Sequence, residues 1–155
     1  GREQMPRLSR FLLGDWLRTE QLDPLTVAVH DVSAGAGYRD RSGARHHRHV
    51  SLQDSGLLVT DRVEGFKFSA VLRWRLTPGS WAHLDVGSEQ AVGVCKIQNE
   101  LGHTVTVCAD VPFVRCEIVQ GWESLHYLEK TSAPVLELEM ATSGACRTSY
   151  YWGAD

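Results

Sequence analysis

Apolar residues recur at every second position over long stretches of this chain, and this alternation restricts the fold more than any other feature of the sequence. The clearest example is FKFSAVLRWRL, which begins at Phe66 and ends at Leu76. Successive residues of an extended strand point to opposite faces, so the alternation separates apolar from polar side chains. One face has Phe66, Phe68, Ala70, Leu72, Trp74 and Leu76, and the other has Lys67, Ser69, Arg73 and Arg75. The segment is therefore predicted to be a half-buried β-strand.

Three further segments alternate in the same way and are also predicted strands. LTVAVH directs Leu25, Val27 and Val29 inward, TVTVCADV directs Val105, Val107, Ala109 and Val111 inward, and VLELEM buries Leu136, Leu138 and Met140. Turn-forming residues separate the strands at positions 54–56, 78–80, 99–102 and 143–144. No long helical period interrupts the pattern. We therefore expect an all-β fold, an antiparallel β-sandwich of about nine strands.

The chain has 155 residues, which is enough for one domain with a real core. We assign residues 1–24 to a leading segment and residues 25–155 to the sandwich domain. Within the leading segment, RLSRFLLGDWL places Leu8, Phe11, Leu12 and Trp16 at approximately helical spacing. Gly14 weakens this helix prediction, so a leading strand is the alternative.

Composition argues against several partners. The formal net charge of -3 gives no general reason to expect nucleic acid or an anionic membrane as a ligand. No apolar run approaches the roughly 20 residues that cross a bilayer, and the amino terminus lacks the apolar centre of a signal peptide. We expect either a cytoplasmic protein or one with a longer precursor.

Four widely spaced cysteines suggest neither a zinc finger nor a thioredoxin-like motif, since no C-x-x-C pair is present. They are Cys95, Cys108, Cys116 and Cys146. Buried free thiols are the simplest interpretation, because free cysteine behaves as a small hydrophobe. A disulfide is left open.

A basic cluster interrupts this mildly acidic chain between Tyr38 and His49. The segment YRDRSGARHHRH contains four arginines and three histidines against one carboxylate, Asp40. Arginine offers a planar fork of donors suited to carboxylate and sulfate, which favours an anion-binding surface. The alternative is a solvated strand edge whose charge discourages pairing with other chains.

Alternation along the strand after Gly43 separates the histidines of the cluster. His46 shares a face with Arg48, while His47 and His49 share the other. Histidines two apart can chelate a metal when a neighbouring strand supplies a carboxylate, and Asp61 is the nearest candidate. A metal at His47 or His49 is a second alternative to anion binding.

The order of several short motifs resembles the carboxy-terminal sandwich of the heparinase II/III-like polysaccharide lyases. His30-Asp31 and Gly37-Tyr38 look like a split His-Asp-Gly-Tyr element, His46-His47-Arg48 like a His-Arg-Arg strand, residues 61–65 like the D-x-hydrophobic-x-G signature, and residues 75–78 like a closing His/Arg-x-x-Pro turn. GWESLHY, residues 121–127, is similar to a G-x-x-S-x-x-Y segment of the family. The resemblance covers roughly residues 25–152.

The resemblance implies an accessory role. Members of the family cleave uronate-containing polysaccharide by β-elimination, with catalytic residues on a large α/α toroid over which the sandwich closes. This chain resembles only the sandwich and lacks the family's His-Asn-Thr-like strand. We therefore assign no catalytic residue, and we expect the chain alone to be inactive. The implied partners are an acidic polysaccharide such as a glycosaminoglycan and the missing helical toroid of the same polypeptide.

The resemblance also implies candidate site residues. We expect Tyr38, Arg45, His46 and Arg48 to contact the polysaccharide. We expect no cofactor; if a structural metal, zinc or calcium, were bound, the resemblance implies that His30, His46 and Asp61 would hold it. The parent is expected to be bacterial, and periplasmic or secreted rather than cytoplasmic.

Two rival functions come from other classes. A free-standing carbohydrate-binding module would stack sugar rings on exposed aromatic side chains, for which Tyr38, Trp81, Trp122 and Tyr127 are the candidates. A purely structural interaction domain would have no ligand at all.

Overall fold

The computed structural model describes residues 16–85, 93–124, 126 and 129–152, and these residues form eleven β-strands. The strands are β1 (Arg18–Val27), β2 (Asp31–Arg39), β3 (Arg45–Gln53), β4 (Gly56–Glu64), β5 (Ala70–Arg75), β6 (Trp81–His83), β7 (Val94–Asn99), β8 (Thr104–Ala109), β9 (Phe113–Glu123), β10 (Thr131–Met140) and β11 (Gly144–Tyr151). Over the residues described, no helix is long and apolar enough to span a membrane. The predicted all-β fold is confirmed, with eleven strands rather than about nine.

The strands form two antiparallel sheets of unequal size. The larger sheet has eight strands in the order β1-β2-β3-β4-β11-β8-β7-β6, and the smaller has three in the order β5-β10-β9. The β3–β4 hairpin turns through Asp54 and Ser55, as the turn residues predict. The sandwich architecture expected from the alternation is therefore present.

The hydrophobic core lies between the small sheet and the β11-β8-β7 part of the large sheet. It consists of Leu72, Leu76, Cys95, Ile97, Val105, Val107, Leu136, Leu138, Met140 and Cys146. Val105 and Val107 of β8 and the three predicted inward residues of β10 belong to this core, and those three have no exposed surface. Ala109 and Val111, also predicted inward, pack against the core. Full burial of such a side chain stabilises the fold by about 1.5–3 kcal/mol, so the central strand of the small sheet anchors the sandwich.

Three strands cannot cover eight, and the burial predicted for the apolar residues of one strand is wrong for this reason. Leu25, Val27 and Val29 were expected inward but are 69%, 71% and 88% exposed. Strand β1 also ends at Val27, so the end of LTVAVH is a turn. Strand β1 lies at the outer edge of the large sheet, beyond the reach of the small sheet. Alternation identified an apolar side of the strand but not whether anything covers it.

The beginning of FKFSAVLRWRL is also not a strand. Strand β5 starts at Ala70, and Phe68 is 89% exposed. Gly65 has a φ of 73°, a left-handed conformation that glycine adopts readily, and the chain bends there after β4. From Ala70 onward the prediction is confirmed, because Leu72 and Leu76 are in the core and Trp74 packs against it.

The predicted helix lies almost entirely outside the described residues, and only Trp16 and Leu17 of it are described. Strand β1 pairs with β2 from Arg18 onward. Residues 18–24, which we assigned to the leading segment, are therefore part of the large sheet.

Candidate functional site

A polar cluster occupies the inner face of the large sheet, next to the region that the small sheet covers. Its members are Tyr38, His46, Arg48 and Asp61, hereafter the Asp61 cluster. They come from β2, β3 and β4, where Tyr38 pairs with His46 and Arg48 pairs with Asp61 across the strands. Three of the five motif segments of the resemblance thus meet at one place.

Asp61 is the centre of the cluster and has no exposed surface. Arg48 donates to both of its carboxylate oxygens, from Nε to Oδ1 at 2.7 Å and from Nη2 to Oδ2 at 3.1 Å. His46 Nε2 lies 2.6 Å from Oδ1, and its Nδ1 lies 3.0 Å from the Tyr38 hydroxyl. Both oxygens of the buried carboxylate therefore have hydrogen-bond partners, as a buried charge requires.

Electrostatics favour the ionised form of Asp61. Burial alone would raise the pKa of this carboxyl, but the hydrogen bonds from His46 and Arg48 and the charge of Arg48 outweigh burial and lower the pKa. The Arg48 guanidinium also lies over the Trp74 ring, 4.6 Å from its centroid. This contact ties the cluster to β5 of the small sheet, so Arg48 holds the two sheets together as well as pairing with Asp61.

Arg45 points to the opposite face from Arg48, because the two are separated by an odd number of residues on β3. Its Nε lies 3.0 Å from Glu20, and its Nη1 lies 3.7 Å from Glu64. On the same face, His47 Nε2 lies 2.9 Å from Asp23. Acidic residues therefore balance the basic cluster locally.

A shallow depression of about 350 Å³ opens where β1 begins and β2 ends. Its lining includes Tyr38, Arg45 and His46, together with Glu20 and Glu64. Three of the four residues expected to contact polysaccharide thus border this depression, and Arg48 does not. Tyr38 and His46 share the face of Arg48, whereas Arg45 points to the other face, so the three come together only at the end of the sheet. Their role in binding stays a prediction.

The structure does not bring the expected metal ligands together. His30 lies in the turn after β1 and its Nδ1 is 2.5 Å from Asp54 Oδ2, at the end of β2 opposite to Tyr38. His46 and Asp61 are in contact, but Arg48 and His46 occupy both carboxylate oxygens. Metal binding by this set stays a prediction, and these contacts do not favour it.

For the alternative metal site, the structure excludes Asp61 as the carboxylate ligand, and a metal at His47 or His49 stays a prediction. His47 and His49 lie on the face opposite to Arg48, whereas Asp61 pairs directly with Arg48 and shares its face. Asp61 cannot supply the third ligand through the sheet.

The aromatic candidates do not form one exposed row. Trp81 is half-buried against the core and its indole donates to the Thr77 carbonyl at 3.0 Å, while Tyr38 belongs to the Asp61 cluster. Trp122 is 46% exposed on the small sheet, with the Lys130 ammonium 4.1 Å from its ring centroid. Tyr127 lies outside the described residues.

Sequence reasoning missed the partners that hold the basic cluster in place. Glu20 and Asp23 were assigned to a leading segment, and Trp74 was read only as a core residue. Knowledge that β1 pairs with β2 would have placed Glu20 and Asp23 beside the basic cluster. The register of this pair is irregular, and nothing in the local sequence indicates it. Nothing in the sequence places Trp74 under Arg48.

These features define an antiparallel β-sandwich with a buried charge cluster beside its core. The family model for the heparinase II/III-like C-terminal domain matches residues 1–145. The chain belongs to this family, which confirms the resemblance seen in the sequence.

Solved structures agree on the fold. A heparinase III, the BT4657 gene product, has a TM-score of 0.61 at 16% identity, over 87% of this chain and 21% of that one. The heparan sulfate lyase HepC from Pedobacter heparinus has a TM-score of 0.60 at 12% identity, over 87% of this chain and 22% of that one. A further heparinase III has a TM-score of 0.57 at 9% identity, over 86% and 21%. The chain thus spans about a fifth of each of these proteins. No curated protein matches the chain significantly.

Proposed function

We propose that this chain is the C-terminal accessory sandwich of a polysaccharide lyase, supporting a helical toroid of the same polypeptide and lining one side of its substrate cleft. The observation that carries the proposal is the family match over residues 1–145. The similar solved proteins are named as a heparinase III and a heparan sulfate lyase, and the chain spans about a fifth of each. The catalytic groups for β-elimination would come from the other part of the parent.

An uncovered apolar row supports docking against another domain. Val27, Val32, Leu52 and Leu57 are cross-strand neighbours on β1 to β4, on the same face as Arg48. The first three are 71%, 37% and 48% exposed. An apolar row of this kind on one sheet face is typical of a surface that another protein surface covers. The helical toroid expected from the resemblance is the partner that we propose for it.

The depression at the end of β2 is the proposed contact with acidic polysaccharide. Arg45 is half-exposed there and already paired with Glu20 and Glu64. A sulfate or carboxylate of the ligand would compete with these two glutamates for the guanidinium. Exposed ion pairs contribute at most about 1 kcal/mol each, so binding to the isolated sandwich is expected to be weak and to fade with salt.

The test is titration of the purified chain with a heparin oligosaccharide, followed by NMR at two salt concentrations. We expect the largest shifts at Tyr38, Arg45 and His46, smaller shifts at high salt, and weaker binding by Arg45→Ala. Arg73→Ala is the matched control, since Arg73 is an exposed arginine on the other sheet that is paired with Glu137 at 2.7 Å.

Two outcomes would count against the proposed contact. If binding does not depend on salt concentration and is retained in Arg45→Ala, the contact would be assigned to Trp122 instead. That result would favour a carbohydrate-binding module. Equal losses in the two arginine variants would indicate a non-specific charge effect. The accessory role itself would be contradicted if the reading frame upstream of this chain did not encode several hundred helical residues.

A further inference from the structure

Three side chains that prefer soft or borderline metal ions meet at the other end of the molecule. His83, Cys95 and Cys116 place one nitrogen and two sulfur atoms within 4.8 Å of one another. The measured separation from Cys95 Sγ to His83 Nδ1 is 3.9 Å. Over the described part of the chain this is the only group of three or more potential ligands that converges in this way.

The topology explains how residues so distant in sequence converge. His83 is on β6, the last strand of the large sheet, and pairs with Ile97 of β7, which shares a face with Cys95. Cys116 is on β9, the edge strand of the small sheet, opposite the buried Leu138. All three side chains therefore point into the space between the sheets, where the two open edges meet.

We propose that His83, Cys95 and Cys116 bind one zinc-class ion that joins the edges of the two sheets. In a tetrahedral zinc site the Zn–S distance is about 2.3 Å and the Zn–N distance about 2.0–2.1 Å, which separates ligand atoms by roughly 3.5–3.8 Å. The observed 3.9 Å is close to this value. Two sulfurs and one imidazole nitrogen match the donor set that Zn²⁺ takes in proteins.

Burial determines the character of the site. Cys95 is 4% exposed and Cys116 is half-buried, whereas His83 is exposed. The ion would therefore have a dry side formed by the sulfurs and an open side at which a water molecule completes the tetrahedron. Binding releases the two thiol protons to solvent, because thiolates are the ligands. The ion would stabilise β6 and β9, which are edge strands of the two sheets formed by the described residues.

The test uses the chain purified without a histidine tag and under reducing conditions, loaded with Zn²⁺ or with Co²⁺ as a spectroscopic probe. We expect one ion per chain, visible Co²⁺ absorption typical of tetrahedral thiolate coordination, and a higher midpoint of thermal unfolding with Zn²⁺. His83→Ala changes an exposed residue, so its fold should be retained. It should weaken Zn²⁺ binding by at least about 10–100-fold, since even the loss of an outer-shell partner has an effect of that size.

Cys116→Ser should weaken Co²⁺ binding and lower the thiolate-to-Co²⁺ charge-transfer absorption per bound ion, because Cys95 would be the one thiolate ligand left. Cys108→Ser is the matched control, because Cys108 is an exposed free thiol outside the cluster and its loss should leave stoichiometry and spectrum unchanged. Metal uptake that survives both His83→Ala and Cys116→Ser would overturn the proposal. So would a reduced, folded wild-type chain that takes up no Co²⁺.

Discussion

Asp61→Asn removes the charge at the centre of the Asp61 cluster while keeping the size of the side chain. The carboxylate accepts two hydrogen bonds from Arg48, at 2.7 and 3.1 Å, and is 2.6 Å from His46 Nε2. The amide has one acceptor oxygen instead of two, and its NH₂ group faces a donor on Arg48. The variant therefore loses at least one charge-assisted hydrogen bond and leaves the Arg48 charge without its counter-ion.

The size of the effect follows from burial. Removing one partner of a buried ion pair costs about 3–5 kcal/mol, because the other charge is left uncompensated. Arg48 is about one-third exposed, so solvent compensates part of its charge and the lower end of this range is expected. For a domain of this size, about 3 kcal/mol lowers the midpoint of thermal unfolding by roughly 6–12 °C.

Asp54→Asn is the matched control, since Asp54 also contacts a histidine but both side chains are mostly exposed, at 73% and 77%. It should change stability by no more than about 1 kcal/mol. The assay is chemical denaturation of the wild type and both variants at neutral pH, with the midpoint and slope fitted separately. An Asp61→Asn variant as stable as Asp54→Asn would refute the view that the cluster is a stabilising charge network.

The pH dependence gives a second measurement on the same variant. The pKa of Asp61 is lowered in the folded chain, so its contribution to stability is present above the unfolded pKa of about 3.9 and is lost as pH falls through the folded pKa. The difference between wild type and Asp61→Asn should therefore shrink as pH falls below the unfolded pKa of about 3.9. A difference that grows over that acid range would contradict the assigned direction.

Further predictions concern activity and packing. The purified chain should release no unsaturated product from heparan sulfate, measured by absorbance, since no base or carboxylate neutraliser can be assigned here; turnover that is lost in His46→Ala would contradict the accessory role. Val27→Asp should leave the unfolding midpoint nearly unchanged, because Val27 is 71% exposed, yet weaken association with the helical part of the parent in a pull-down. Leu138→Ala should lower stability by about 2–5 kcal/mol through the cavity it leaves, and a smaller loss in denaturation would mean that the core is less tightly packed than described.

Much of the Asp61 cluster could be predicted from the sequence because one hairpin fixes its register. Strands β3 and β4 are joined by a two-residue turn, so Gln53 pairs with Gly56 and every later pair follows in step. Arg48 must then oppose Asp61. Alternation further predicts that His46 lies on the same face, and the structure confirms this.

The sequence could not predict which part of the inner face the small sheet covers, or that His83, Cys95 and Cys116 meet. Both depend on which sheet each strand joins. Alternation gave the same prediction for Val27 of β1 and Leu138 of β10, yet one is largely exposed and the other buried. Cys95 and Cys116 belong to different sheets, and no spacing rule relates residues that meet only through sheet packing. The family resemblance identified the fold but contained no information on His83, Cys95 and Cys116, the proposed zinc ligands.

The uncovered inner face of the large sheet has two chemically different ends. On β2, Tyr38 lies six residues from Val32, or about 20 Å along the strand. At the Tyr38 end the buried Asp61 is paired with Arg48 and His46, and the small sheet already packs against Arg48 through Trp74, so this end needs no further protein cover. At the Val32 end the apolar row is stabilised only when something excludes water from it. We infer that a helical partner would bury the Val32 end and leave the Tyr38 end open to the cleft. Because the buried charges of the cluster are already paired, selectivity for a particular polysaccharide would come mainly from the partner domain.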